Sequence, residues 1–370
     1  CVMSEYQYYE FQAIDRPLTE EEQRAVSRLS SRVDPHPRRA VFVYNYSDLP
    51  ANEQELLVKY YDAMFYIANW GTTRLMFRFP QALIDVRQIE SYCVEDAVTC
   101  ETIGEYVVLD IFWNDEGGEY SDWVEGEGFL DGLISLREAI LRQDYRVLYL
   151  AWLSAFHIGM VEEDEVEPPV PPGLQKLTPA LRRFIEAFHV DESLVAAAAK
   201  ASPTAQTPSP TALRQTIAAL PREVCDEWLL RLAQGQEANL SLLFQRTLQS
   251  GRVAETTAQD KRTVAELERL AEAEYQHAQQ KSAAAAEAKR IRELETLASK
   301  AEATWTFIEQ LVERGTGSSY TEATELLVKL HQLALHQNKE KPFAERLKRL
   351  REANAKKRAW LSRVDKAGLP

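Results

Sequence analysis

The sequence is short of the residues that carry recognisable chemistry. Its 370 residues hold four cysteines and six histidines. Cys1, Cys93, Cys100 and Cys225 are too few for a disulfide framework in a chain this long, and none form a CxxC pair. His36, His157, His189, His277, His331 and His336 stand in six separate contexts, and no HExxH occurs. His331 and His336, on one helix, lie about 140° apart round its axis and share no face. No metal site is expected from these patterns. A GxSxG nucleophile elbow is absent, and no cysteine stands beside a histidine. Phosphate loops are missing as well: Gly117-Gly118 and Gly126–Gly128 sit in an acidic stretch that repels phosphate. No cofactor is expected. Long apolar runs are also lacking. The longest, Val147–Met160, falls short of the ~18–20 residues that span a bilayer. With no charged-then-apolar leader at its start, the sequence reads as a cytoplasmic protein with no membrane association.

What is present is a chain of two dissimilar halves. Residues 1–170 carry 32 acids against 13 bases, and residues 171–370 carry 25 acids against 30 bases. Of the 35 aromatic residues, 25 precede residue 171, and large aromatics dominate cores. The expected fold is therefore an α+β N-terminal domain followed by a mostly α-helical C-terminal half with a long coiled-coil-like arm. The pattern divides as follows: an acidic α+β domain over 3–173, a short helical extension over 174–202 and a linker over 203–210. A small helical segment over 211–250, the arm over 256–314 and a basic helical module over 320–370 complete it.

In the first domain Glu5–Phe11 and Val41–Tyr46 read as strands. Thr19 with Glu22 forms a capping box that opens a helix, and Asp34-Pro35-His36-Pro37 stops it. The 3-4 spacing of Leu56, Leu57, Tyr60, Tyr61, Met64, Phe65 and Ala68 predicts one helix over Glu53–Trp70, ended by Gly71. Arg74–Phe79 alternates strictly, and Tyr106–Trp113 is apolar on both faces. One long helical stretch is expected from Phe129 to about Gly159. Thr178–Phe188 and Asp191–Lys200 follow as short helices, the second capped by Asp191.

From Thr256 to Arg314 there is no proline or glycine. Val264, Leu267 and Ala271, then Leu294, Ala298, Ala301, Trp305, Ile308 and Val312, keep an apolar seam, while Glu274 and Lys281 weaken its middle. Tyr320–His336 and Phe343–Val364 read as two amphipathic helices.

Several stretches resemble known proteins. Glu10-Phe11 and Ala13–Glu22, Ala68–Thr72, Arg74–Met76 and Glu167–Leu174 resemble segments of an uncharacterised family of bacterial proteins. Tyr320, Ala323, Leu326-Leu327, Leu330, Phe343, Leu347, Leu350 and Asp365–Leu369 resemble the tail of bacterial SWIM zinc-finger proteins. The likeness spans about the first 200 and last 60 residues, and the zinc-binding cysteine–histidine motif is absent. The resemblance implies architecture and a bacterial cytoplasmic setting. It implies no mechanism and no zinc.

Three features carry the functional expectations. Asp110 lies inside an apolar strand, so its carboxylate needs a partner; Arg74 and Arg78 are expected to supply it. The same three residues would form the pocket if the chain were an enzyme or the regulated substrate of one. The loop Asn114–Gly128 mixes acids and glycines without EF-hand spacing. There Tyr120, Trp123, Glu125 and Glu127 are candidate contacts for a basic protein partner. In the C-terminal half Lys348, Arg349, Lys356, Lys357 and Arg358 form a basic face of the kind that meets nucleic acid, but the whole-chain charge of −14 weighs against it. Trp305 and Ile308 mark a seam expected to mediate self-association. The leading expectation is a non-enzymatic adaptor, with the enzyme and the nucleic-acid-associated protein as alternatives.

Overall fold

A computed structural model describes residues 5–30, 33, 36–114, 126–205, 209–234, 240–250 and 262–370. The chain divides into two compact units, Cys1–Tyr275 and Gln276–Pro370. The first is built on a six-stranded antiparallel sheet. Its strands are β1 (Gln7–Gln12), β2 (Arg39–Tyr44), β3 (Ala63–Ala68), β4 (Thr72–Pro80), β5 (Val98–Ile103) and β6 (Tyr106–Asn114), in spatial order β2-β1-β3-β4-β6-β5.

Strict alternation in β4 sends its side chains into two different cores. Met76, with Phe11, Phe42, Met64 and Val108, packs under α1 (Glu20–Ser27) and α2 (Glu53–Tyr60) through Val26, Leu56 and Leu57. Leu75, Phe77 and Phe79 lie in the larger core of the other face, with Phe65, Leu109 and Ile111. After the short α3 (Val86–Glu90), that face is covered by α4 (Phe129–Leu141), α5 (Arg146–His157), α6 (Pro179–Ala187) and α7 (Glu192–Ala201). The capping box at Thr19 is formed, and Glu22 also takes both Arg16 Nη1 and Nη2 at 2.8 and 2.7 Å. Those bonds to Arg16, and then the Thr19 amide, hold the Glu22 carboxyl down at about 2.

Three expected helices are corrected. Glu53–Trp70 is α2 followed by β3, with Tyr61 already extended. A strand buried on both faces loses its alternation, so Ala63–Ala68 also satisfies a helical stripe. Phe129–Gly159 is two helices, parted where Gln143 takes a positive φ and Asp144 accepts from the Arg146 amide. In the second unit, Phe343–Val364 is likewise two helices.

After α8 (Pro210–Ala218), α9 (Arg222–Gln234) and α10 (Leu240–Ser250) comes α11 (Val264–Ser299). No side chain of α8 or α9 is buried, so Cys225 does not belong to a core. The first turns of α11 are fixed to the N-terminal unit. Val264, Leu267 and Ala271 join the larger core, and Arg262 reaches the buried Glu167 with Nε and Nη2 at 2.7 and 2.6 Å. Tyr149 Oη donates to the same carboxylate. From residue 275 to 290 every residue of α11 is exposed.

The C-terminal unit closes on its own core. Leu294 near the end of α11 joins α12 (Ala301–Arg314), α13 (Gly317–His336), α14 (Glu340–Ala353) and α15 (Arg358–Lys366). Gly315 ends α12 in the left-handed region, where a side chain is strained, and Thr316 caps α13 through the Ser319 amide. Trp305, Ile308, Leu327, Leu347 and Trp360 meet inside. The seam expected to seek an external partner is thus covered by helices of its own unit. Trp305 and Ile308 are not a surface. Replacing Ile308 with alanine should therefore cost about 2–5 kcal/mol of stability. A denaturant titration of the full chain reads it as an earlier tryptophan transition, with sedimentation unchanged; an unshifted midpoint would contradict the packing.

Candidate functional site

The described part of the sheet leaves a cleft of ≈ 300 Å³ beside the N-terminus of α2. β1 supplies Gln7 and Tyr9, β3 supplies Met64 and Tyr66, and β4 supplies Thr72 and Arg74. Paired register explains why they share a face: Tyr9 stands opposite Tyr66, Tyr66 opposite Arg74, and Arg74 opposite Phe112 of β6. Asp48 and Leu49 come from the loop after β2, Glu53 from the first turn of α2, and Trp70 from the β3–β4 turn. Trp70 and Phe112 are 40% and 37% exposed, which is high for large apolar rings on a sheet.

The polar groups are ordered by a few bonds. Tyr9 Oη and Tyr66 Oη both donate to Gln7 Oε1, at 2.7 and 3.2 Å, while Gln7 Nε2 donates to Asp48 Oδ1 at 2.9 Å. The two tyrosine rings lie 4.5 Å apart. Burial, reinforced by Glu53, pushes the Tyr9 phenol up to about 12, and burial raises Tyr66 as well. Both therefore stay neutral donors. Arg74 makes a forked contact to Asp110, Nε to Oδ1 at 2.9 Å and Nη2 to Oδ2 at 2.5 Å, with Glu53 Oε2 at 3.7 Å from Nη1. Burial disfavours the guanidinium charge, but Asp110 outweighs it and raises the Arg74 pKa.

Asp110 thus has Arg74 as partner, as expected, but Arg78 is elsewhere. Asp110 stands opposite Met76, with both arginines on its diagonals. Arg78 turns instead to Asp62, Nη2 to Oδ1 at 2.6 Å. Asp62 was hidden in the sequence because its surroundings carried a helical pattern. It is 1% exposed, and its Oδ2 accepts the amides of Ile14 and Asp15 at 2.7 and 2.9 Å. Arg137 of α4 lies 3.7 Å from Asp62 and forks onto Asp15 at 2.9 and 2.8 Å. This cluster is a clamp inside the fold and lines no part of the cleft.

The remaining expected contacts are dispersed. Tyr120, Trp123 and Glu125 lie outside the described residues; Glu127 is exposed just before α4. Gly126 is buried, and a Cβ there would stand 2.3 Å from the Tyr8 ring, so only glycine fits. Lys348, Arg349, Lys356 and Arg358 are exposed on the C-terminal unit, whereas Lys357 donates to the Val312 carbonyl at 2.7 Å. Among the described residues no group of three or more His, Cys, Asp or Glu is placed to hold a metal ion, and no helix is long and apolar enough to cross a membrane. In comparison with known proteins, no family model, no curated protein and no solved structure matches this chain.

Burial pushes the Asp62 carboxyl upward, but Arg137, the Asp15 amide and Arg78 overcome it and hold the group below the usual carboxylate range. A depressed folded-state value stabilises fully above the unfolded pKa of about 3.9 and is lost as pH falls through the lower folded value. Asp62→Asn should accordingly cost roughly 3–5 kcal/mol at neutral pH, the scale of breaking a buried pair. The gap to wild type should narrow below about pH 4. Urea titrations across that range check it, and a gap constant with pH would contradict the assignment.

Proposed function

We propose that this chain is a non-enzymatic interaction protein whose acidic N-terminal unit receives a basic protein partner. The observation that carries this reading is the cleft: neutral phenols, two rim aromatics and carboxylates, with its guanidinium already engaged by Asp110. Such a lining offers hydrogen bonds, stacking and negative charge. None of its groups is poised as a nucleophile beside a base.

Charge supports the same partner. The N-terminal unit has 45 acids against 25 bases in its sequence, and the C-terminal unit 12 acids against 18 bases. A surplus of this size draws cationic partners and repels nucleic acid from the N-terminal unit. The helical C-terminal unit would then be the second module of an adaptor working in the cytoplasm. Self-association through Trp305 and Ile308 is not part of this reading, since both belong to that unit's interior.

Calorimetric titration of the full chain with peptides of equal length, one basic, one neutral and one acidic, tests the proposal. Saturable heat with the basic peptide alone is expected. Preference for the acidic peptide, or no binding to any of them, would overturn it.

A further inference from the structure

The cleft is more selective than negative charge alone would make it. We infer that it is a receptor for an arginine side chain presented by a basic protein segment, an inference that rests on the recognition reading above. A guanidinium is flat, weakly hydrated and forked. It is best held by an aromatic surface to stack on and a carboxylate able to take two parallel bonds. Both elements are present. Trp70 and Phe112 expose their rings at the rim. Glu53 sits in the lining and accepts no hydrogen bond among the described residues; its ion pair with Arg74 Nη1, at 3.7 Å, is long and leaves both its oxygens able to accept.

The resident arginine already shows the geometry the site accepts. Arg74 lines the cleft with Glu53 and is itself held in a fork by Asp110, which is not part of the lining. Asp48 adds a further exposed carboxylate, with one oxygen taken by Gln7. With Arg74 answered by Asp110 from outside the lining, the charges of Asp48 and Glu53 are left in the cleft as a formal surplus of two. The volume of ≈ 300 Å³ is at the lower end of the roughly 300–1,000 Å³ usual for small-molecule pockets. It therefore suits one long side chain better than a larger ligand. A phosphate or carboxylate would meet the surplus of like charge, because Arg74 is already committed. A lysine ammonium would be attracted, but it can neither stack flat nor bond through a planar fork.

The test is a titration of the full chain with peptides that share one Gly/Ser background and carry arginine, lysine or dimethylarginine. Wild-type protein is compared with Glu53→Gln, Trp70→Ala and the control Glu186→Gln, an exposed acid on α6. Thermal unfolding confirms that each variant is folded, and Glu53→Gln is isosteric. The arginine peptide should bind about tenfold tighter than the lysine peptide, the scale of one charge-assisted hydrogen bond. Dimethylation should remove most of that advantage. Glu53→Gln and Trp70→Ala should each weaken arginine binding about tenfold, and Glu186→Gln should not. Equal affinity for arginine and lysine, or variants that bind like wild type, would overturn the arginine site and leave a general basic partner standing. Failure of every basic peptide would overturn the recognition reading itself.

Discussion

A carboxylate buried away from water has to be answered by donors, and the N-terminal unit is arranged around one such demand. Asp62 stands at the entry to β3, where its amide bonds the Gln12 carbonyl at 2.8 Å and its carbonyl takes the Arg78 amide at 2.8 Å. Its side chain then gathers the loop after β1, a guanidinium from β4 and, through Asp15, one from α4. Four segments distant in sequence are thereby held in one register. An unanswered charge at that depth costs several kcal/mol, so no neighbouring segment can shift without a large penalty.

The same rule runs through the other buried acids. Glu10, fully buried in β1, is met by Arg39, Gln12 and Tyr8 at 2.7, 2.9 and 2.8 Å. Glu167 is met by Arg262 and Tyr149. These interior acids are thus neutralised locally. The Arg74–Asp110 pair differs in kind, because Arg74 still fronts an open cleft beside Glu53, to which it is only loosely paired at 3.7 Å. Structural charge and binding charge are in this way kept on separate residues.

What was legible in the sequence follows from how each signal arises. The Thr19–Glu22 cap, the alternation of Arg74–Phe79 and the helices at 179–187 and 192–201 depend on local patterns that tertiary packing does not alter. β3 was misread because burial on both faces erases period two, and with it went Asp62, Tyr66 and the correct partner of Arg78. The cleft draws on β1, β3, β4, β6, the start of α2 and two loops, and of its lining only Arg74 carried a sequence signal, a charge inside a strand pattern. Tyr9 and Trp70 look like core aromatics in the sequence, and only the sheet order brings them to one opening. In the C-terminal unit the apolar seams were visible, but their mutual cover was not, since a stripe specifies a face and not its occupant.

Salt separates the two uses of charge more directly than any single substitution. On one preparation, the affinity for a basic arginine peptide and the denaturation midpoint can be followed from about 0.05 to 0.5 M ionic strength, where the screening length shortens severalfold. The account predicts a steep fall in affinity with a nearly constant midpoint, because exposed charges are screened and buried pairs are screened far less. An affinity indifferent to salt, together with a midpoint that collapses, would contradict it.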